Sequence, residues 1–140
     1  MKMAANILQV NSLTAGYKQK AVIHDISFSV DAGDFLCIVA PNGTGKTTLL
    51  RCLAGVLDVF RGAIQLKGKD INSYSRRDLA RTVAVVAEEA DTFDYTVGQM
   101  VTMGRYSHIG RFGAVTAKDR AIVQAAMDSV KIGHKRHSIM

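Results

Sequence analysis

The chain has 140 residues, enough for one domain with a sizeable core, and 48% of them are apolar, which argues against a disordered or fibrous chain. Its formal net charge is +6, yet the basic residues are scattered without interleaved aromatics and pair up only at Arg76-Arg77 and Lys135-Arg136, so nucleic acid is not an expected partner. The sequence carries no apolar window of membrane-span or signal-peptide length and no metal-ligand spacing, and its two cysteines, Cys37 and Cys52, sit where small buried apolar residues belong, so a cytoplasmic protein with reduced thiols is expected.

In chain order, Leu8, Val10 and Leu13 predict a first strand, closed by a turn at Gly16-Tyr17. Ile26, Phe28 and Val30 alternate with Ser27 and Ser29, the pattern of a half-buried strand, antiparallel and hairpin-like with the first. Asp31-Ala32-Gly33-Asp34 then turns the chain into the apolar run Phe35 to Val39, predicted as a buried strand. Leu49, Leu50 and Leu53 at helical spacing predict the inner face of a helix that Gly55 stops.

Between that strand and helix lies the stretch richest in chemistry. Ala40-x-x-x-x-Gly45-Lys46-Thr47 has the spacing of a phosphate-binding loop, with alanine where the stricter form has glycine. Backbone N–H groups around Asn42 to Thr47 are expected to turn inward around a diphosphate, with Gly43 and Gly45 supplying the dihedral freedom. Lys46 would reach the outer phosphates as a mobile point charge and Thr47 would offer its hydroxyl to Mg²⁺, while the helix N-terminus adds partial positive charge. A nucleoside triphosphate with magnesium is therefore the expected ligand.

Further along, Gly62 to Leu66 predicts a short strand ending at the Lys67-Gly68-Lys69 turn. Ser75-Arg76-Arg77-Asp78 reads as a capped helix start, and the β-branched run Thr82 to Val86 as a buried strand. Ala87 to Asp91 is an acidic loop. Thr96-Val97-Gly98-Gln99 is a capping box followed by Val97, Met100 and Val101 at helical spacing, and Gly104 to Gly113 is a glycine-rich, basic loop. Thr116 caps a third helix with an apolar stripe of Ile122, Val123, Ala126, Met127 and Val130, where Met127 is read as core, and Gly133 ends it.

Taken in order, these residues resemble the ATP-binding subunits of ABC transporters over essentially the whole chain. The likeness rests on Tyr17, the loop Ala40 to Thr48, Gly62-x-Ile64, Leu79-Ala80-Arg81 before the Thr82 to Val86 run, and the polar loop after it. Thr96-Val97-Gly98-Gln99-Met100-Val101 followed by Gly104-Arg105-Tyr106-Ser107-His108 resembles the importers of iron–siderophore complexes, haem and cobalamin. The implied fold is α/β, an ABC-type P-loop nucleotide-binding domain present in part: residues 1–87 form an antiparallel β subdomain plus the phosphate loop, and 88–140 the switch loop and the start of the helical subdomain.

The resemblance also implies roles. Tyr17 would stack on adenine, an alternative being a tyrosine that only covers a sheet edge. Asn42, Gly43, Thr44, Gly45, Lys46, Thr47 and Thr48 map onto the phosphate site of ATP. Glu88 falls where the family carries the glutamine that senses the γ-phosphate and metal. A carboxylate there still accepts from the water shell of Mg²⁺ but adds negative charge and loses a donor, and Glu89 is the alternative partner. Lys46 and Glu88 are thus the expected catalytic residues, with Thr47 and Glu88 on the metal. Arg105 and His108 lie in a loop that in relatives faces the transmembrane partner, although His108 also reads as an exposed histidine without a role.

Implied partners are a transmembrane permease, a second ATP-binding subunit as a homodimer and, indirectly, a substrate-binding protein, with the chain held at the inner face of the cell membrane through the permease. Hydrolysis in this family also uses an Asp-Glu pair after a later strand, an LSGGQ-type loop and a further histidine, none of which occurs in the 140 residues. The isolated chain is therefore expected to hydrolyse almost no ATP, and its phosphate-loop strand to leave apolar edges uncovered. Two alternatives stand beside the transporter reading: a stand-alone nucleotide-binding module or truncated fragment, and a small-molecule P-loop kinase, for which no acceptor site or arginine-rich lid is found.

Overall fold

The computed structural model describes residues 6–86, 94–110 and 113–139. Its contacts divide the chain into two compact units, Met1–Ala84 and Val85–Met140.

The first unit is built on an antiparallel sheet of order β2-β1-β3-β4. Strands β1 (Asn6–Tyr17) and β2 (Lys20–Asp31) form a long hairpin. The turn is Lys18-Gln19, with φ of 48° and 64°, the primed geometry that matches strand twist, so β1 runs through Gly16-Tyr17 instead of stopping there. In β2 the expected alternation holds, with Ile26, Phe28 and Val30 partly buried and Ser27 and Ser29 exposed.

Strand β1 carries a register break that lets both Val10 and Leu13 point into the core although they are an odd number of residues apart. Ser12 absorbs the extra residue at φ 44°. Its N–H donates to the Ser27 hydroxyl at 2.8 Å, so the kinked backbone is not left unsatisfied. Gly62, in the facing strand β3 (Val59–Leu66), meets the kink at φ 85°, where a Cβ would run into the carbonyl oxygens of Asn11 and Ser12. A Lys67-Gly68 turn joins β3 to the short β4 (Lys69–Asp70).

One face of this sheet is covered by α1 (Lys46–Leu53), a 3-10 turn (Ile71–Ser73) and α2 (Arg76–Thr82), which Ser75 caps as expected by accepting from the Asp78 N–H at 3.1 Å. Val10, Leu13, Ile64, Leu49, Cys52 and Leu79 belong to the resulting core. The inward face of α1 is Thr48, Leu49 and Cys52, with Leu53 partly buried against the core. Leu50, expected inside, is 53% exposed because it sits a quarter-turn away from Leu49.

Two expected strands do not form. Phe35 to Val39 pairs with no described strand; Phe35 is 93% and Val39 87% exposed, and Cys37, expected buried, is exposed with them. The run Thr82 to Val86 gives its first residue to α2 and continues unpaired, with Val86 96% exposed. Both segments have the apolar composition of inner strands, but a strand exists only through the hydrogen bonds of a neighbour, and the four described strands pair elsewhere.

In the second unit, α3 (Val97–Met103) begins with the expected Thr96/Gln99 capping box. Helix α4 (Ala117–Ser129) begins with a matching box between Thr116 and Asp119. Val123 and Met127 of α4 are buried, whereas Ile122, Ala126 and Val130 face outward, so only part of the expected stripe is core. The helix stops at Ser129, short of Gly133, because Lys131 takes up φ 61°. The chain then folds back on α3: Gly98 donates to the Arg136 carbonyl and Val97 to that of Ser138.

Candidate nucleotide-binding site

The loop from Ala40 to Gly45 leads directly into α1, whose N-cap is Gly45 at φ 98°. Gly43 also has positive φ, 80°, so both glycines adopt the left-handed conformation expected for a loop that turns its amides inward. The first backbone bond of α1 runs from Leu49 N–H to the Gly45 carbonyl at 2.9 Å, which leaves the Lys46, Thr47 and Thr48 amides as the helix's orphan donors. These donors and the dipole of α1 converge on the mouth of the loop, an arrangement that suits an anion.

Lys46 is the first helical residue, and its ammonium spans the loop to donate to the carbonyls of Ala40 and, at 2.7 Å, Pro41. The Thr44 hydroxyl donates to the same Pro41 carbonyl at 2.8 Å and braces the turn from within. Asn42, Gly43, Thr44 and Thr47 are exposed, whereas Thr48 is 4% exposed and points into the fold. The residues present fit a polyphosphate with magnesium: open space above Gly43, free helix-start amides, the Lys46 ammonium lying across the loop and an exposed hydroxyl on Thr47.

Tyr17 ends β1 and is 39% exposed. Its phenol accepts from Arg51 Nη1 at 3.0 Å, and the guanidinium carbon lies 6.0 Å from the ring centroid. Polar side chains beside the oxygen, Thr48 first and then Arg51, draw the phenol below its ordinary pKa. The structure thus brings Tyr17 and the last turn of α1 together. Arg51 was not expected there; it lies 34 residues from Tyr17, and no local pattern announces the pairing. Glu88 and Glu89 lie outside the described residues.

In the second unit, Arg105 donates through Nε to Asp119 at 3.0 Å. Asp119 also accepts from the Thr116 N–H at 3.1 Å and from its hydroxyl, and these bonds, more than the guanidinium, hold its pKa down at about 2. Arg105, expected to face a partner, is thereby bound to its own unit, and the turn Gly104–His108 is anchored to α4. A groove of about 440 Å³ opens beside α3, lined by residues that include Tyr95, Gln99, Met103, Tyr106, Arg136 and His137.

The sequence profile of ABC transporters matches residues 23–140. The chain belongs to the ABC transporter family. Among its relatives, an uncharacterized ABC transporter ATP-binding protein, YvrA of Bacillus subtilis, is 39% identical over 127 residues, which make up 89% of this chain and 29% of YvrA. The ferric enterobactin transport ATP-binding protein FepC of Escherichia coli is 34% identical over 128 residues, 91% of this chain and 47% of FepC. The chain thus spans less than half the length of these ABC relatives. A solved bacterial Atm1-family ABC exporter with ATP bound superimposes with a TM-score of 0.74 at 26% identity, over 96% of this chain and 23% of the exporter. No described helix is long and apolar enough to cross a membrane.

Proposed function

We propose that this chain is the nucleotide-binding part of the ATP-binding subunit of an importer for iron–siderophore or related metal-chelate complexes, in which ATP binding and hydrolysis drive transport. The observation that carries the reading is the loop in which two left-handed glycines, Gly43 and Gly45, feed a helix whose first residue is Lys46. Tyr17 receives the adenine face; the amides from Asn42 to Thr48 and the Lys46 ammonium hold the phosphates. Thr47 and Glu88 share the magnesium, which neutralises the developing phosphate charge. The cargo class draws its support from FepC, a ferric enterobactin transport ATP-binding protein, and from the segment Thr96 to His108.

In the assembled transporter two such subunits sandwich ATP, a binding protein delivers cargo outside, and the segment 88–112 relays closure to a permease that holds the subunit at the inner face of the membrane. The groove beside α3 offers that relay an apolar, tyrosine-lined footing. The exposed apolar residues Phe35 and Val86 favour a chain that works beside further strands over a self-sufficient module.

Calorimetric titration of the chain with MgATP tests the reading: weak saturable binding that Lys46→Ala removes supports it. Undiminished binding in Lys46→Ala would exclude this loop as the phosphate site. Phosphate release from the chain alone is expected near background, and Lys46-dependent turnover on the order of 1 s⁻¹ or faster would contradict the expected hydrolytic deficiency.

A further inference from the structure

We infer that Arg51 is a positioning residue for the nucleotide base: it holds the Tyr17 ring where a purine docks and ties that platform to the phosphate loop through α1. The inference rests on the proposed reading of Tyr17 as the adenine platform. Tyr17 is the last residue of β1, next to a two-residue turn, and a side chain 39% exposed at a hairpin tip has little packing to fix its rotamer. Arg51 supplies the missing restraint, with a 3.0 Å bond to the phenol oxygen and the guanidinium carbon 6.0 Å from the ring centroid.

Arg51 is carried by α1, the same helix that starts at Lys46. A nucleotide spanning both ends would thus meet two contact regions carried by a single short helix. Their separation is set by that helix, with about 7–8 Å of rise between Lys46 and Arg51. Fixing the ring in advance lowers the ordering cost of stacking and leaves the phosphate contacts untouched. Arg51 itself is exposed, so its replacement does not open the core.

The test compares MgATP with magnesium tripolyphosphate, which has the phosphates and no base, by calorimetric titration of the 140-residue chain and its variants. Arg51→Ala is expected to weaken MgATP about fivefold and leave tripolyphosphate unchanged. Arg51→Lys, which keeps a donor, is expected to recover most of the loss. Tyr17→Phe, which keeps the ring and removes the oxygen, is expected to match Arg51→Ala, and the double variant to be no weaker than either. Equal losses for both ligands, or unchanged or tighter MgATP binding in Arg51→Ala while Tyr17→Ala weakens it, would overturn the inference. If Tyr17→Ala leaves MgATP binding intact while Lys46→Ala removes it, the adenine reading of Tyr17 fails instead. Absence of MgATP binding by the unaltered chain overturns both.

Discussion

Arg105 and Asp119 meet at 3.0 Å, and this one ion pair joins the turn after α3 to the first turn of α4. The Asp119 carboxylate also closes the capping box with Thr116, so a single group serves as helix cap and inter-helix anchor. Its folded pKa of about 2 lies below the ordinary 3.8. A depressed carboxylate stabilises the fold above its unfolded pKa, and that stabilisation fades as pH falls through the folded value. The expected outcome is that Asp119→Asn lowers the melting temperature at pH 7, and that the gap from the unaltered chain narrows steadily between about pH 4 and pH 2. Thermal melts across that window check it; a gap independent of pH would place the effect elsewhere.

The contact between Gly62 and the β1 kink yields a second prediction. Gly62→Ala combines a residue held at φ 85° with a methyl driven into two backbone carbonyls that cannot rotate away. A loss of about 2–4 kcal/mol is expected, larger than strain alone, because either the kink at Ser12 or the β1–β3 pairing must shift. Urea denaturation of the variant measures it. A loss below about 0.5 kcal/mol would mean that the kink moves freely.

The two loop glycines should separate by their surroundings. At Gly45 an added Cβ would strike the Ile23 side chain, while at Gly43 it meets nothing within 4 Å. Both sit at positive φ, so alanine at Gly43 carries the backbone cost alone, about 1–2 kcal/mol, and alanine at Gly45 carries that cost plus a steric displacement of about 1–3 kcal/mol. Denaturation midpoints should fall in the order unaltered, Gly43→Ala, Gly45→Ala.

Features whose cause lies within a few residues were legible in the sequence. The caps at Ser75, Thr96 and Thr116 are contacts from i to i+3, and all three form. The loop glycines and the alternation of Ile26, Phe28 and Val30 are local in the same sense. Features set by distant neighbours were not. The Ser12 kink exists because Gly62 accepts it from another strand, and Lys18-Gln19 forms a primed turn without glycine or asparagine because a long hairpin on either side enforces it. Arg51 could not be assigned to Tyr17 from spacing, since strand and helix meet only in the folded unit. Phe35 to Val39 marks the sharpest limit: apolar composition states what surroundings a segment requires, and only the folded chain shows whether they are met.

That segment carries the last prediction. Phe35, at 93% exposure, and Val39, at 87%, form with Cys37 an uncovered apolar run beside the phosphate loop, and such an extended edge favours pairing between chains. Neither side chain contributes to the core in this chain, so replacing both with aspartate removes apolar surface from water without opening a cavity. The variant Phe35→Asp/Val39→Asp is expected to unfold within about 0.5 kcal/mol of the unaltered chain and to remain monodisperse at concentrations where the latter associates. Light scattering alongside urea denaturation separates the two effects. If association persists unchanged, the adhesive surface lies elsewhere, with Val86, 96% exposed, the next residue to alter. If stability falls by several kcal/mol, Phe35 and Val39 are packed in solution, and an exposed run is the wrong description of them. The same substitutions in a longer chain that pairs this run as an inner strand should have the opposite effect, since two buried carboxylates in a sheet would cost several kcal/mol and block folding.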